Sequence, residues 1–157
     1  MNTTVKADVP TLMAAYETYV NALGPLKAIE GLTTSFTLQA YPKSLLDKTA
    51  SAGGNSLGID PSDGPLMSIL ILSFWQNKED DDKINSTFKC VIEAVDQDAT
   101  TRGTAAPYKY MNYAAPFQDP IKMYGKENKA KLQATSKKYD PKGLFQKGVV
   151  GGWKLFE

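Results

Sequence analysis

Seven consecutive residues, Tyr108-Lys109-Tyr110-Met111-Asn112-Tyr113-Ala114, bring three phenols, an ammonium and an amide into one short stretch of the chain. Hydroxyls and amides make directional hydrogen bonds, and the rings add flat apolar surface for stacking. As a strand, the segment puts Tyr108, Tyr110 and Asn112 on one side and Lys109, Met111 and Tyr113 on the other. The 157-residue sequence holds no histidine and a single cysteine, Cys90. Nucleophilic triads built on imidazole and the usual zinc and non-haem iron sites are therefore excluded, and no metal centre is expected. Proton transfer near neutral pH is left to a perturbed carboxylate, tyrosine or lysine. Gly53-Gly54-Asn55 lacks the lysine and hydroxyl residue of a phosphate loop and reads as a turn.

The elements that must carry these groups follow from periodicity. Asp8 ahead of Val9-Pro10 is a helix cap, and Leu12, Met13, Tyr16, Val20 and Leu23 recur at three and four residues until Gly24-Pro25 stops the helix. Leu32 to Tyr41 alternates, with Leu32, Thr34, Phe36, Leu38 and Ala40 on one face and Thr33, Ser35, Thr37, Gln39 and Tyr41 on the other. Leu66 to Gln76 is apolar at nearly every position, as a central strand covered on both faces is. Glu79-Asp80-Asp81-Asp82 suits the positive end of a helix dipole and lacks the alternating ligands and glycine of a calcium loop. The helix it opens carries Ile84, Phe88, Val91, Ile92 and Val95 as a stripe, with Cys90 on its apolar side as a buried, inert thiol. Tyr108 to Ala114 is the third strand, and Lys126 to Lys138 a basic surface helix with Leu132 inward. Strands and helices in this order predict an α+β domain over residues 1–157, an antiparallel sheet with helices packed on one face.

Composition narrows the partners. Eighteen basic and seventeen acidic residues leave a net charge of +1 with no basic tract, so no nucleic acid and no membrane surface is expected as partner. The longest apolar run, Leu66 to Trp75, is too short to cross a bilayer. Met1 to Asp8 is polar and mixed in charge, unlike a secretion signal, and a cytoplasmic location is expected.

The tail holds a second kind of signal. Tyr110-x-Asn112-Tyr113-Ala114, Tyr124-Gly125-x-x-Asn128 and Tyr139-Asp140-Pro141-x-x-x-Phe145 resemble, in order and spacing, the C-terminus of the berberine-bridge-enzyme-like, FAD-linked oxidases. The resemblance extends upstream through Gly54-Asn55-Ser56-Leu57-Gly58 and the strand ending at Trp75. It implies a substrate domain whose polar sheet face roofs a flavin and lines the substrate cavity. On that face the resemblance puts Tyr110, Asn112 and Tyr108 as candidate catalytic residues and Thr37, Gln39, Trp75 and Gln76 as candidate substrate-binding residues. Tyr113 and Tyr139 read as structural, and Gln118 and Asn128 as holding the returning loop and helix. Family members are several times longer, and their FAD-binding half has no counterpart in this sequence. Neither Leu32–Tyr41 nor Leu66–Gln76 holds the carboxylate that serves as the family's base.

Three functions follow as expectations. The foremost is a cofactor-free natural-product enzyme that orients a small reactive metabolite for a non-redox cyclisation or isomerisation, most concretely a Diels-Alder or hetero-Diels-Alder cycloaddition. The alternatives are one half of a split or truncated FAD-linked oxidoreductase, and a non-catalytic small-molecule-binding pseudoenzyme. Met1, the capped helix and an end near the family's own terminus fit a self-standing protein. The sheet face uncovered by the missing flavin half leads us to expect a homodimer.

Overall fold

Strands β1 (Asn2–Lys6), β2 (Thr33–Tyr41), β3 (Leu66–Phe74) and β4 (Ala105–Ala106) make one antiparallel sheet in the order β2-β3-β1-β4 in the computed structural model, which describes residues 1–156. Helices α1 (Val9–Ala22) and α3 (Asp81–Arg102) pack on one face, while α2 (Lys43–Ser51), α4 (Pro120–Met123) and α5 (Lys126–Tyr139) are set in irregular segments. The α+β class, the antiparallel sheet and the helical face agree with the sequence reading.

The core is a sandwich of the sheet and the two long helices. Val5, Ile69 and Ile71 meet Ala15 and Tyr19 of α1 and the stripe Ile84, Phe88, Val91, Ile92, Val95 and Ala99 of α3. The Tyr19 ring stacks on Phe88 at 6.0 Å and lies 5.3 Å from Phe36, tying α1, α3 and β2 together. Each such side chain taken fully from water contributes about 1.5–3 kcal/mol. Asp8 caps α1 by accepting hydrogen bonds from the Thr11 amide and hydroxyl, which hold its carboxyl below the usual range. At the far end of α3, Gly103 takes a left-handed φ of 69°, and Thr104 turns back to the Ala99 carbonyl.

Four readings change. Residues 2–6, polar and unremarked in the sequence, form a strand that sits between β3 and β4 with Asn2, Thr3, Thr4 and Val5 all buried. The apolar series of α1 does not point inward as a set. The helix buries Thr11, Ala15 and Tyr19, whereas Met13, Tyr16 and Val20 are 52%, 49% and 41% exposed. Thr11 is tolerated inside because Asp8 and the Thr104 hydroxyl satisfy it, and small Ala15 lets the helix lie close to its neighbours. Cys90 is exposed rather than buried. The fourth correction concerns the chemistry-rich segment: Tyr108 to Ala114 is not a strand.

That segment leaves β4 at Pro107, which has no N–H to extend a ladder, and ends in a 3-10 turn, Met111–Tyr113. Its backbone partners are side chains. Asn2 Nδ2 donates to the Tyr110 carbonyl at 3.1 Å, and the Tyr110 amide donates to Asn2 Oδ1 at 2.9 Å. Gln118 does the same for Asn2 itself: its Nε2 donates to the Asn2 carbonyl at 2.7 Å, and its Oε1 accepts from the Asn2 amide at 3.2 Å and the Ala115 amide at 3.0 Å. Two amide side chains thus replace a ladder that a strand would have made. Gln118 holds the returning loop, as the sequence reading has it, and Asn128 holds α5 by donating to the Tyr124 carbonyl at 2.9 Å.

No described helix is long and apolar enough to cross a membrane. Gln118→Ala leaves buried backbone groups of Asn2 without partners and is expected to lower the unfolding free energy by about 2–4 kcal/mol. Because Asn2 and Gln118 belong to one network, adding Asn2→Ala costs less than the sum of the two single changes in a urea-denaturation cycle.

Candidate functional site

Strand alternation decides which residues look away from the helices. Asn2 and Thr4 of β1, Leu66, Ser68 and Leu70 of β3, and Ser35, Thr37, Gln39 and Tyr41 of β2 share the face opposite α1 and α3. That face has two halves. Around Leu66, Ser68, Thr4 and Asn2 it is closed, each residue being 1% exposed or less. Around Phe74 and Leu72 it is bare, with exposures of 63% and 45%.

The closed half is roofed by tyrosines. Tyr108 is buried, meets Tyr41 edge-on at 5.9 Å and stacks with Tyr124 at 6.0 Å. Tyr110 and Tyr113 continue the group, their rings edge-on at 4.8 Å. Gly58 explains the tightness of the roof, since a Cβ there would come within 2.5 Å of the Tyr124 carbonyl oxygen and its φ is 74°. Asn112, exposed on the 3-10 turn, donates from Nδ2 to the Tyr110 hydroxyl at 2.9 Å and fixes its direction. The Trp153 indole donates to the Met111 carbonyl at 3.4 Å, so the C-terminal tail braces the same turn.

The electrostatics of this wall keep it neutral. Burial pushes the Tyr108 hydroxyl far above the usual phenol range, and the neighbouring phenols Tyr41, Tyr124 and Tyr110 add to the rise. Burial likewise raises Tyr41, partly opposed by its contact with Tyr108, and raises Tyr124 with help from Tyr110 and Tyr41. None of β1, β2 or β3 holds a carboxylate. The wall can therefore donate hydrogen bonds and stack on planar groups, but it holds no base of ordinary strength. Two hydroxyls beneath it, Thr4 Oγ1 and Ser68 Oγ, are buried without partners and lie opposite one another in the β1–β3 register.

Lys109, between two of these tyrosines, points the other way. Its Nζ donates to Thr3 Oγ1 at 2.7 Å and to Asp96 of α3 at 2.8 Å, and Thr3 donates to the same carboxylate. The pair of buried Lys109 and half-buried Asp96 anchors the tyrosine segment to the helix layer.

The seven residues drawn from the sequence do not form one cavity. Tyr108, Tyr110 and Asn112 come together, although on an irregular segment and turn rather than on a strand. Gln39 stands beside Ser68 on the open face, and Thr37 two residues away towards the bare half. Trp75 and Gln76 lie elsewhere. Trp75 faces the helix side, its indole donating to Asp81 at 2.7 Å, and Gln76 presses against Gly31. Asn2, Tyr41 and Tyr124 join the site by position. Tyr41 is legible from its place on the polar face of β2 and Tyr124 from its spacing to Asn128 in the tail motif, whereas Asn2 leaves no local sequence signal. A cleft of about 200 Å³ lies past Tyr124, lined by Leu46, Gly54, Asn55, Gly58 and Asn128 among others. Drug-sized ligands occupy roughly 300–1,000 Å³. The open face is one wall of a site rather than an enclosed pocket.

Residues 109–147 match the family model described as berberine and berberine like. The chain is 37% identical over 154 residues to the FAD-dependent monooxygenase FUP4 of Fusarium proliferatum, covering 94% of this chain and 29% of that protein. It is also 37% identical over 118 residues to the FAD-dependent monooxygenase tpcD of Cochliobolus heterostrophus, 75% of this chain and 23% of that one. A third similarity, 29% identity over 130 residues, is to the bifunctional solanapyrone synthase of Alternaria solani, covering 83% of this chain and 25% of the synthase. The chain thus spans between 23% and 29% of the length of these relatives. No solved structure matches it. The resemblance to the C-terminal region of the berberine-bridge-like family, read from the tail motifs, is confirmed.

The raised phenols give a pH signature. Their folded-state pKa values lie above those of the unfolded chain, so their contribution is complete below the ordinary phenol value of about 10 and is lost as pH climbs beyond it. Spectrophotometric titration should show Tyr41, Tyr108 and Tyr124 resisting ionisation until the protein unfolds, and Tyr108→Phe should flatten the alkaline loss of stability.

Proposed function

We propose that this chain is the substrate-side unit of a fungal-type natural-product enzyme, holding a planar, oxygenated metabolite against the open sheet face beneath Tyr110 and Asn112. The observation that carries this reading is the neutral phenol wall on a carboxylate-free sheet, with one hydroxyl aimed by an asparagine. The aligned fungal proteins, FAD-dependent monooxygenases and a solanapyrone synthase, support a place in natural-product biosynthesis.

The relatives named as FAD-dependent raise the question of whether the residues present fit FAD. The phosphates find no suitable cradle among the described residues. The starts of α1, α3 and α4 carry Asp8, Asp80-Asp81-Asp82 and Asp119, which repel an anion; α2 and α5 open on Lys43 and Lys126 but without a glycine-rich strand-to-helix loop, and the Gly53-Gly54 turn is followed by Asn55-Ser56-Leu57 with no lysine. These residues do not fit the dinucleotide.

The chemistry assigned to the chain is its own. The Tyr110 hydroxyl, held by Asn112, donates a hydrogen bond to a carbonyl or quinone-methide oxygen of the substrate, drawing electron density from the conjugated system. Tyr113 and Tyr41 present flat surface on which the rest of the molecule stacks, and Gln39 and Thr37 offer further hydrogen bonds. Donation at a developing oxyanion, with two reacting ends held close, lowers a barrier by several kcal/mol, on the order of 3–10 when both act. A non-redox cyclisation, in its most concrete form an intramolecular Diels-Alder or hetero-Diels-Alder addition, needs nothing stronger. A second reading, one half of an FAD-linked oxidoreductase completed by another polypeptide segment, is favoured by the bare half-face at Leu72 and Phe74.

Two measurements separate them. Purified protein that is colourless in the visible and accelerates cyclisation of a supplied polyene-carbonyl substrate supports the first; a flavin band supports the second and sinks it. Tyr110→Phe should reduce turnover about 10- to 100-fold and Asn112→Ala by a smaller factor, both with the far-UV circular dichroism spectrum of the parent. Unchanged rates in both variants place the reacting atoms elsewhere.

A further inference from the structure

One edge of the sheet is closed and the other is open. On the β1 side, β4 and then the Gln118 amide occupy the backbone groups of β1. On the opposite side β2 is hydrogen-bonded to β3 alone, so its outer edge is unpaired over nine residues, Thr33–Tyr41. Soluble proteins usually guard such an edge with lysine, proline, a bulge or brevity. The sequence Thr-Thr-Ser-Phe-Thr-Leu-Gln-Ala-Tyr has none of these and no charge.

The helix next to this edge is equally unguarded. Val9, Met13, Tyr16 and Val20, spaced four, three and four residues apart, form one exposed apolar stripe on α1. Tyr16 meets Phe36 of β2 edge-on at 5.7 Å, so the stripe lies alongside the open edge. Leu38 of β2, 45% exposed, belongs to the same side of the sheet. Glu17 is the one charged residue of α1. A helix with its apolar stripe in water, beside an uncharged strand edge, is a surface built to be covered.

We infer that a second copy of this chain covers it, the two β2 strands pairing antiparallel about a two-fold axis at Thr37 and the α1 stripes packing together across that axis. The occupant is set by self-complementarity. Antiparallel pairing centred on Thr37 puts Phe36 opposite Leu38, Ser35 opposite Gln39 and Thr34 opposite Ala40, each pair on one face and matched in polarity on the first two. A two-fold axis brings identical side chains near each other, and no charge on β2 opposes that approach. Joining the edges makes one continuous sheet of two four-stranded halves, and in this register the bare half-face of each copy, beside Thr33 and Ser35, lies next to the Gln39–Tyr41 end of the other.

The test is the oligomeric state of the wild-type chain at tens of micromolar by light scattering coupled to size exclusion, with hydrogen exchange of the β2 amides as a second readout. The expected mass is twice the 17.1 kDa of the chain, with β2 amides protected at high concentration and exposed on dilution. Leu38→Lys and Met13→Glu should each shift the population to monomer, while Leu45→Lys, exposed on α2, leaves the dimer intact. A wild-type monomer with fast-exchanging β2 amides overturns the inference. A dimer that survives both Leu38→Lys and Met13→Glu overturns it too, by placing the interface elsewhere. Should either variant misfold, the concentration dependence of β2 exchange in the wild type decides alone.

Discussion

Two side-chain amides fasten the tyrosine segment to the free side of the sheet. A sheet face can be covered by an irregular segment only if the segment's own backbone groups find partners, since an unpaired buried peptide group costs as much as a lost hydrogen bond or more. Asn2 and Gln118 meet that demand reciprocally. Asn2 pairs with both backbone groups of Tyr110, and Gln118 pairs with both backbone groups of Asn2. The result is a fixed aromatic segment on the free side of β1 without a fifth strand. The tyrosine wall, the placement of Asn112 and the closure of one sheet edge all depend on this exchange.

Much of the architecture could be read from the chain because periodicity reports burial. The alternation of Thr33–Tyr41, the apolar run from Leu66 and the stripe from Ile84 to Val95 each correspond to an element, although the apolar run, expected to be covered on both faces, leaves Leu72 and Phe74 bare on one of them. What was hidden is instructive in physical terms. Asn2-Thr3-Thr4 carries no hydrophobic signal, yet it is fully buried, because neighbours on both sides satisfy its backbone and Thr3 sits in an ion-pair network. The α1 series misled because a count of apolar residues does not say which of two faces is inward. Polar Thr11, satisfied by Asp8, and small Ala15 won the inner face over Met13 and Tyr16.

The site was partly legible for the same reason. The tail motif located Tyr108, Tyr110 and Asn112, and the family model covers residues 109–147, most of that tail. The motif could not say that these residues stand on a turn, nor that Trp75 looks to the helices. The Tyr-Gly-x-x-Asn and Tyr-Asp-Pro elements prove to be local fasteners. Asn128 ties back to Tyr124, and the Asp140 carboxylate accepts from the Leu144 and Phe145 amides. The wall is built of phenols from separate parts of the chain, and burial raises Tyr41, Tyr108 and Tyr124 beyond the usual phenol range, a property of assembly that no single residue announces.

The Lys109 ion pair has a mechanical meaning. Tyr108 and Tyr110 flank a lysine whose ammonium is clamped to Asp96, so the aromatic wall is geared to α3 as well as to the sheet. Through that one ion pair, a 22-residue helix on one side of the sheet and the phenols on the other share a fastening, so the position of the wall is set jointly by both layers.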